Sequence, residues 1–217
     1  QGDLHVIASV LDADPANHYN LTVSCDVTID GGATLINRNN TFTLNGSAVQ
    51  TVSLDGTTYF YNVTINNTHS DGITVNGNWG LDNVLTLTDG VVTTTDTVMV
   101  NNSSPMAVTG HSNASFINGH LRRDIVTNHH TYAFPVGNGT TAANYFLAEI
   151  QNDSMVGPSN LVANFSGLNN HNDMEMVAED HYIDYTSINP TGTWKIEPDV
   201  QPTAGEYHAR LFIENFS

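Results

Sequence analysis

The chain has 217 residues, long enough for one large or two small domains with a substantial core. Five Lys plus Arg against 22 Asp plus Glu give a formal net charge of −17, which sets aside nucleic acid and anionic membrane as partners, since both need basic patches. The single cysteine, Cys25, rules out an internal disulfide, and no apolar run reaches the length of a transmembrane segment.

Residues 1–18 read as a lead-in or cap. LHVIASVL is an apolar first strand, DADPANH a loop, and Gln1 followed by GDLHVIASV is compatible with a mature terminus after removal of a secretory leader. Asp12, Asp14 and Asn17 offer oxygen ligands that would suit calcium, although the Gly and terminal Glu of an EF-hand are missing. No other cofactor is indicated. Cys25, in LTVSCDVTI, reads as a small core residue, because no base stands near it in sequence to make a reactive thiolate.

The stretch 42–93 organises the rest. Phe42 and Leu44, Val52 and Leu54, Val63 and Ile65, Ile73 and Val75, Leu85 and Leu87 alternate with Thr, Asn and Ser, the period of a strand with one buried face. Thr, Val, Ile and Tyr fill these runs and suit a pleated surface. The runs end on Asn-Gly or Asp-Gly, as at Asn45-Gly46, Asp55-Gly56 and Asn76-Gly77, where the chain must turn a corner or reverse.

Apolar positions also recur at long range. Val23, Leu44, Ile65, Leu87 and Val108 form one series, and Leu54 with Val75 a second. Spacing near 21–22 residues predicts an all-β chain with a parallel β-helix, or solenoid, over 19–124, in which each coil buries its apolar face on its neighbours. The alternative is tandem antiparallel β-sandwiches, because Asn-Gly and Asp-Gly are also the favoured hairpin turns.

Beyond the repeats, Arg122 and Arg123 stand side by side, suited to clamping a carboxylate or pairing with a local acid such as Asp124. Aromatic strands, Pro135 and the turn Gly137-Asn138-Gly139 then break the period, and a β-sandwich module is expected over 125–217 that reads as incomplete. Residues 167–193 are polar and irregular and contain His171 and His181, imidazoles at a spacing that matches no established metal motif. Trp194 and Ile196 open a final pair of strands, and Tyr207, Ala209, Leu211 and Ile213 alternate along what is expected to be an unpaired edge used in assembly.

Several phrases keep a fixed order across 42–139: YFYNVTINNT, GITVNGNWGLDNVLTLTDGVVTT, SFINGHLRRDI and YAFPVGNG, with WKIEP further on. In this order they resemble the large repetitive cell-surface and adhesin-like proteins of Bacteroidetes. The resemblance implies a type IX secreted, extracellular product built from a β-solenoid and sandwich modules, and it supplies no catalytic residues. It also implies candidate O-glycosylation at Thr97 and Ser154, each following Asp and preceding an apolar residue. Asn-x-Ser/Thr sequons are abundant, among them Asn62 and Asn164, and follow from a chain rich in Asn and Thr.

The functional expectation is a non-enzymatic structural or adhesive module that associates with itself or with other surface proteins. No nucleophile elbow, zinc helix or phosphate loop occurs, and no pair of carboxylates stands out for glycoside hydrolysis. The alternatives are a glycan- or protein-binding adhesin using aromatics such as Trp79, Tyr59 and Tyr61, side chains that read foremost as core filling at the coil corners, and a polysaccharide-active β-helix enzyme, which would need more basic residues along its groove than this chain has.

Overall fold

The structure is a computed structural model that describes residues 2–36, 38–126, 129–167 and 192–213. It is a parallel β-solenoid of about six coils whose last coil passes into an antiparallel part. The tandem-sandwich alternative for the repeat region is thereby removed: the flanking strands stack in parallel and do not form hairpins.

Three walls make up each coil. The first holds β1 (Leu4–Val6), β4 (Val27–Ile29), β7 (Gln50–Leu54), β10 (Ile73–Asn76), the start of β13 (Val92–Val100) and the start of β15 (Ile117–Asp124). The second holds β2 (Val10–Asp12), β5 (Thr34–Ile36), β8 (Thr58–Phe60), β11 (Trp79–Leu81) and the ends of β13 and β15. The third holds β3 (Leu21–Val23), β6 (Thr41–Leu44), β9 (Asn62–Asn66), β12 (Leu85–Asp89) and β14 (Val108–Thr109). Within the second wall, β2 and β5 form a two-stranded sheet of their own, not hydrogen-bonded to β8.

Alternation becomes ladders. On the third wall Leu21, Phe42, Val63, Leu85 and Val108 lie in register, beside Val23, Leu44, Ile65 and Leu87. From the second coil onward these side chains are buried, and each Leu or Ile so placed contributes about 2–3 kcal/mol of transfer free energy. The 21-residue steps from Val23 to Leu44 to Ile65 are real steps between stacked rungs. Two expected pairings are corrected. Val108 stacks on Leu85, and Val75 stacks on Val52 where Leu54 was expected. The coil length is also less regular than 21–22, running from 19 residues (Ile73 to Val92) to 25 (Val92 to Ile117). Corners absorb the difference while the inward ladders hold register. At the corner after β10, Gly77 takes φ 97°, and a Cβ there would collide with the Leu54 carbonyl of the coil below.

Polar side chains repeat in the same manner. The Asn83 amide donates to Asn62 Oδ1 and the Asn102 amide to Asn83 Oδ1, both at 2.8 Å, so one amide ladder ties three successive coils. Gln50 accepts from the Gly46 N–H and the Asn67 amide, and donates to the carbonyls of Val23 and Cys25. Cys25 itself is half-buried at the corner between β3 and β4.

Past β15 the pairing changes. β16 (His130–Gly137) adds in parallel to the first residues of β15, then pairs antiparallel with β17 (Tyr145–Asn152), which pairs antiparallel with β20 (Tyr207–Leu211). The end of β15 pairs antiparallel with β18 (Asn160–Ser166), which pairs with β19 (Thr193–Pro198). The first and second walls of the solenoid thus continue into the two layers of the antiparallel part, while the third wall stops at β14.

Candidate functional site

The antiparallel part has an open side. Phe146, Ala148 and Ile150 of β17 and Leu161, Ala163 and Phe165 of β18 point inward and are buried. Phe146 stacks on Phe165 with ring centroids 3.8 Å apart, and Trp194 meets Phe165 edge-on at 4.8 Å while donating from Nε1 to the Phe146 carbonyl at 3.2 Å. Farther from this cluster the layers part around a cleft of about 530 Å³, lined by Ile150, Met155, Ile196, Tyr207 and Leu211 among others. Every residue of β20 is exposed, Tyr207 at 57% and Leu211 at 49%.

Hydrogen bonding defines the edge. Asp153 N–H donates to the Glu206 carbonyl and Phe212 N–H to the Leu147 carbonyl, so the even-numbered residues of this strand face β17. The N–H and C=O groups of Tyr207, Ala209 and Leu211 therefore point away from the sheet. The structure places these three expected residues together on β20, which among the described residues pairs with β17 alone. Ile213 is corrected: it lies beyond the end of β20, in a separate hollow with Tyr145 and Leu147.

Ion pairs flank the edge strands. Arg210 meets Glu149 at 3.0 Å and Lys195 meets Glu197 at 3.0 Å, exposed pairs that contribute little. Asp153 accepts from the Gln151 amide at 2.7 Å and contacts His129 and His208, and these partners hold its carboxyl below the usual range, the Gln151 bond foremost.

At the first coil, β1 pairs with β4 alone among the described residues. Leu4 N–H donates to the Asp26 carbonyl and Asp30 N–H to the Val6 carbonyl, so the N–H and C=O of His5 face away from β4. Ile7, at 56% exposure, and Val10, at 60%, lie on this first coil.

The other sequence candidates fall elsewhere. Asp12 is held by Arg38 through two bonds of 2.9 Å, and this pairing lowers its carboxyl below the usual range. Asp14 caps its own turn, accepting from the N–H groups of Ala16 and Asn17, while the Asn17 amide donates to it as well. These contacts engage the carboxylates of Asp12 and Asp14. Among the described residues no group of three or more His, Cys, Asp or Glu is arranged to hold a metal ion. Thr97 is half-buried within β13, and Ser154 is exposed, its hydroxyl accepting from Glu206 N–H at 2.9 Å. His171 and His181 lie outside the described residues.

Trp79 is a core residue, as core filling predicts, and is not available to a ligand: it is fully buried, stacked between Thr58 and Val98, and meets Phe60 edge-on at 5.8 Å. Tyr59 is exposed, its ring lying across Gly80, and Tyr61 is half-buried.

The adjacent arginines have opposite fates. Arg122 bonds Asp124 and the Asn101 amide oxygen on the outside. Burial nevertheless raises the Asp124 carboxyl above its ordinary value, outweighing the neighbouring guanidinium. Arg123 occupies the ladder slot above Phe60, Leu81 and Val100 and is fully buried with no carboxylate beside it. Its guanidinium donates to the carbonyls of Ala133, Ser104 and Pro105 at 2.7–3.0 Å and lies over the rings of Tyr132 and Phe134. Burial brings its pKa down to about 10, and together with burial its charge lowers that of His111. Arg123 closes the solenoid core against the antiparallel part, a role the sequence did not signal.

No protein-family model matches the chain, and comparison with curated proteins and with solved structures finds no match.

Proposed function

We propose that the chain is a structural or adhesive module of an extracellular surface protein or filament, self-associating through its β edges. One observation carries the reading: β20 is an exposed strand whose Tyr207, Ala209 and Leu211 N–H groups have no partner among the described residues, and it borders an apolar cleft between two sheets. Unpaired strand edges next to exposed apolar surface are the usual template for adding another strand. The ordered phrases over 42–139 that resemble Bacteroidetes surface proteins support the extracellular part of the reading, and the amide and apolar ladders suit a load-bearing rod.

Sedimentation velocity over a wide concentration range, with negative-stain electron microscopy of the same samples, tests this reading. Concentration-dependent species and regular polymers are expected. A monomer at every concentration, with no ordered assembly in micrographs, would overturn it.

A further inference from the structure

We infer that the partner of the open end is a second copy of this chain, docked by its first solenoid coil, so that copies join head to tail. The inference rests on the self-association reading and adds which surfaces meet. Strand direction is the first argument. β16 runs parallel to β15, β17 against β16 and β20 against β17, so β20 has the direction of every first-wall strand back to β1. β18 runs against β15 and β19 against β18, so β19 has the direction of the second-wall strands back to β2. The two edges at the open end therefore reproduce the first two walls of a coil in direction and in order across the layers. A copy translated along the stack sets its β1 on β20 and its β2 on β19, both parallel, with no reversal.

Among the described residues each of these four strands has one partner only: β1 pairs β4, β2 pairs β5, β19 pairs β18 and β20 pairs β17. The free groups match. His5 at one end, and Tyr207, Ala209 and Leu211 at the other, present N–H and C=O to an empty side, as stated above. Apolar surfaces match as well. Leu4 and Leu11, half-buried on the first coil, are left where the next rung would cover them, and the cleft lined by Ile196, Tyr207 and Leu211 lacks that same rung. Such a contact joins unlike surfaces and does not close on itself, so it propagates as a filament.

Two proline variants test the geometry. His5→Pro removes a donor from the head edge and Ala209→Pro one from the tail edge, and neither position spends its N–H inside the chain. Circular dichroism and the melting curve should match the parent for both. Each variant alone should lose self-association by at least ten-fold, and an equimolar mixture should form a dimer, because each supplies the surface the other has lost. A His5→Pro protein that still self-associates would show tail-to-tail pairing and overturn the inference while leaving the reading of self-association intact. A mixture that stays monomeric also overturns it. A parent that is monomeric throughout defeats both. Should either proline variant unfold, Leu4→Lys and Leu211→Lys replace the pair, with the same expected and overturning outcomes.

Discussion

The solenoid and the antiparallel part are made from the same residue types yet bury them differently. In the solenoid each strand has like-directed neighbours above and below, and inward positions such as Leu44, Ile65 and Leu87 are wholly closed from solvent. In the antiparallel part the two layers end in β19 and β20, and Trp194 and Ile196 are only half-buried although they point the same way as the core. Stacking closes a core rung by rung, and a core remains open wherever the next rung is missing. The contrast places the exposed apolar surface at the open end of the antiparallel part.

Three measurements would break or sharpen that contrast. The largest effect is expected where the two regions meet. Arg123→Ala leaves a cavity and strands the carbonyls of Ala133, Ser104 and Pro105, and should cost about 4 kcal/mol in denaturant unfolding. A loss under about 1 kcal/mol would mean that the buried guanidinium does not seal the junction.

Next comes a paired truncation. Ile65→Ala, in the closed ladder, should cost about 3 kcal/mol, and Ile196→Ala, beside the cleft, about 1 kcal/mol in dilute protein. Equal losses would abolish the distinction between closed and open cores.

The smallest effect is a pH dependence at the junction. Burial and the charge of Arg123 lower the His111 pKa below 6.5, so the folded chain binds fewer protons there than the unfolded chain. The stability this group contributes is present above about pH 6.5 and is lost as pH falls through the lowered value. The melting temperature should decline over that window, and His111→Gln should flatten the decline. An identical pH profile in the variant would assign the effect to other groups.

The long-range period was legible because the third wall changes little from coil to coil: Val23, Leu44 and Ile65 are separated by equal chain lengths and all point inward. It failed where corners differ. Leu54 and Val75 are equally far apart in sequence as Leu44 and Ile65, yet the turn geometry sets Val52 beneath Val75. Core filling suits Trp79 but not the exposed Tyr59, because nothing local reveals which aromatic near a corner faces in and which faces out. Arg123 was legible only as a charge, and charged side chains are seldom fully buried. Its slot became visible once register placed it above Val100. The edge at Tyr207, Ala209 and Leu211 was legible from alternation alone, because a strand is recognisable locally. The direction it shares with β1 was not, because that depends on two hairpins and a crossover.

One feature of the second wall bears on mechanics. The bonds between coils lie along the stack, about 4.8 Å per rung, so tension along the axis loads the rungs in series and the rung with the fewest bonds gives way first. Between the second and third coils the first and third walls are bonded, through β4 to β7 and β6 to β9, but β5 is not bonded to β8. The step from β13 to β15 is likewise bonded on two walls only, because the third wall stops at β14, so a pull along the stack is expected to open one of these two rungs while the fully bonded coils between them stay stacked.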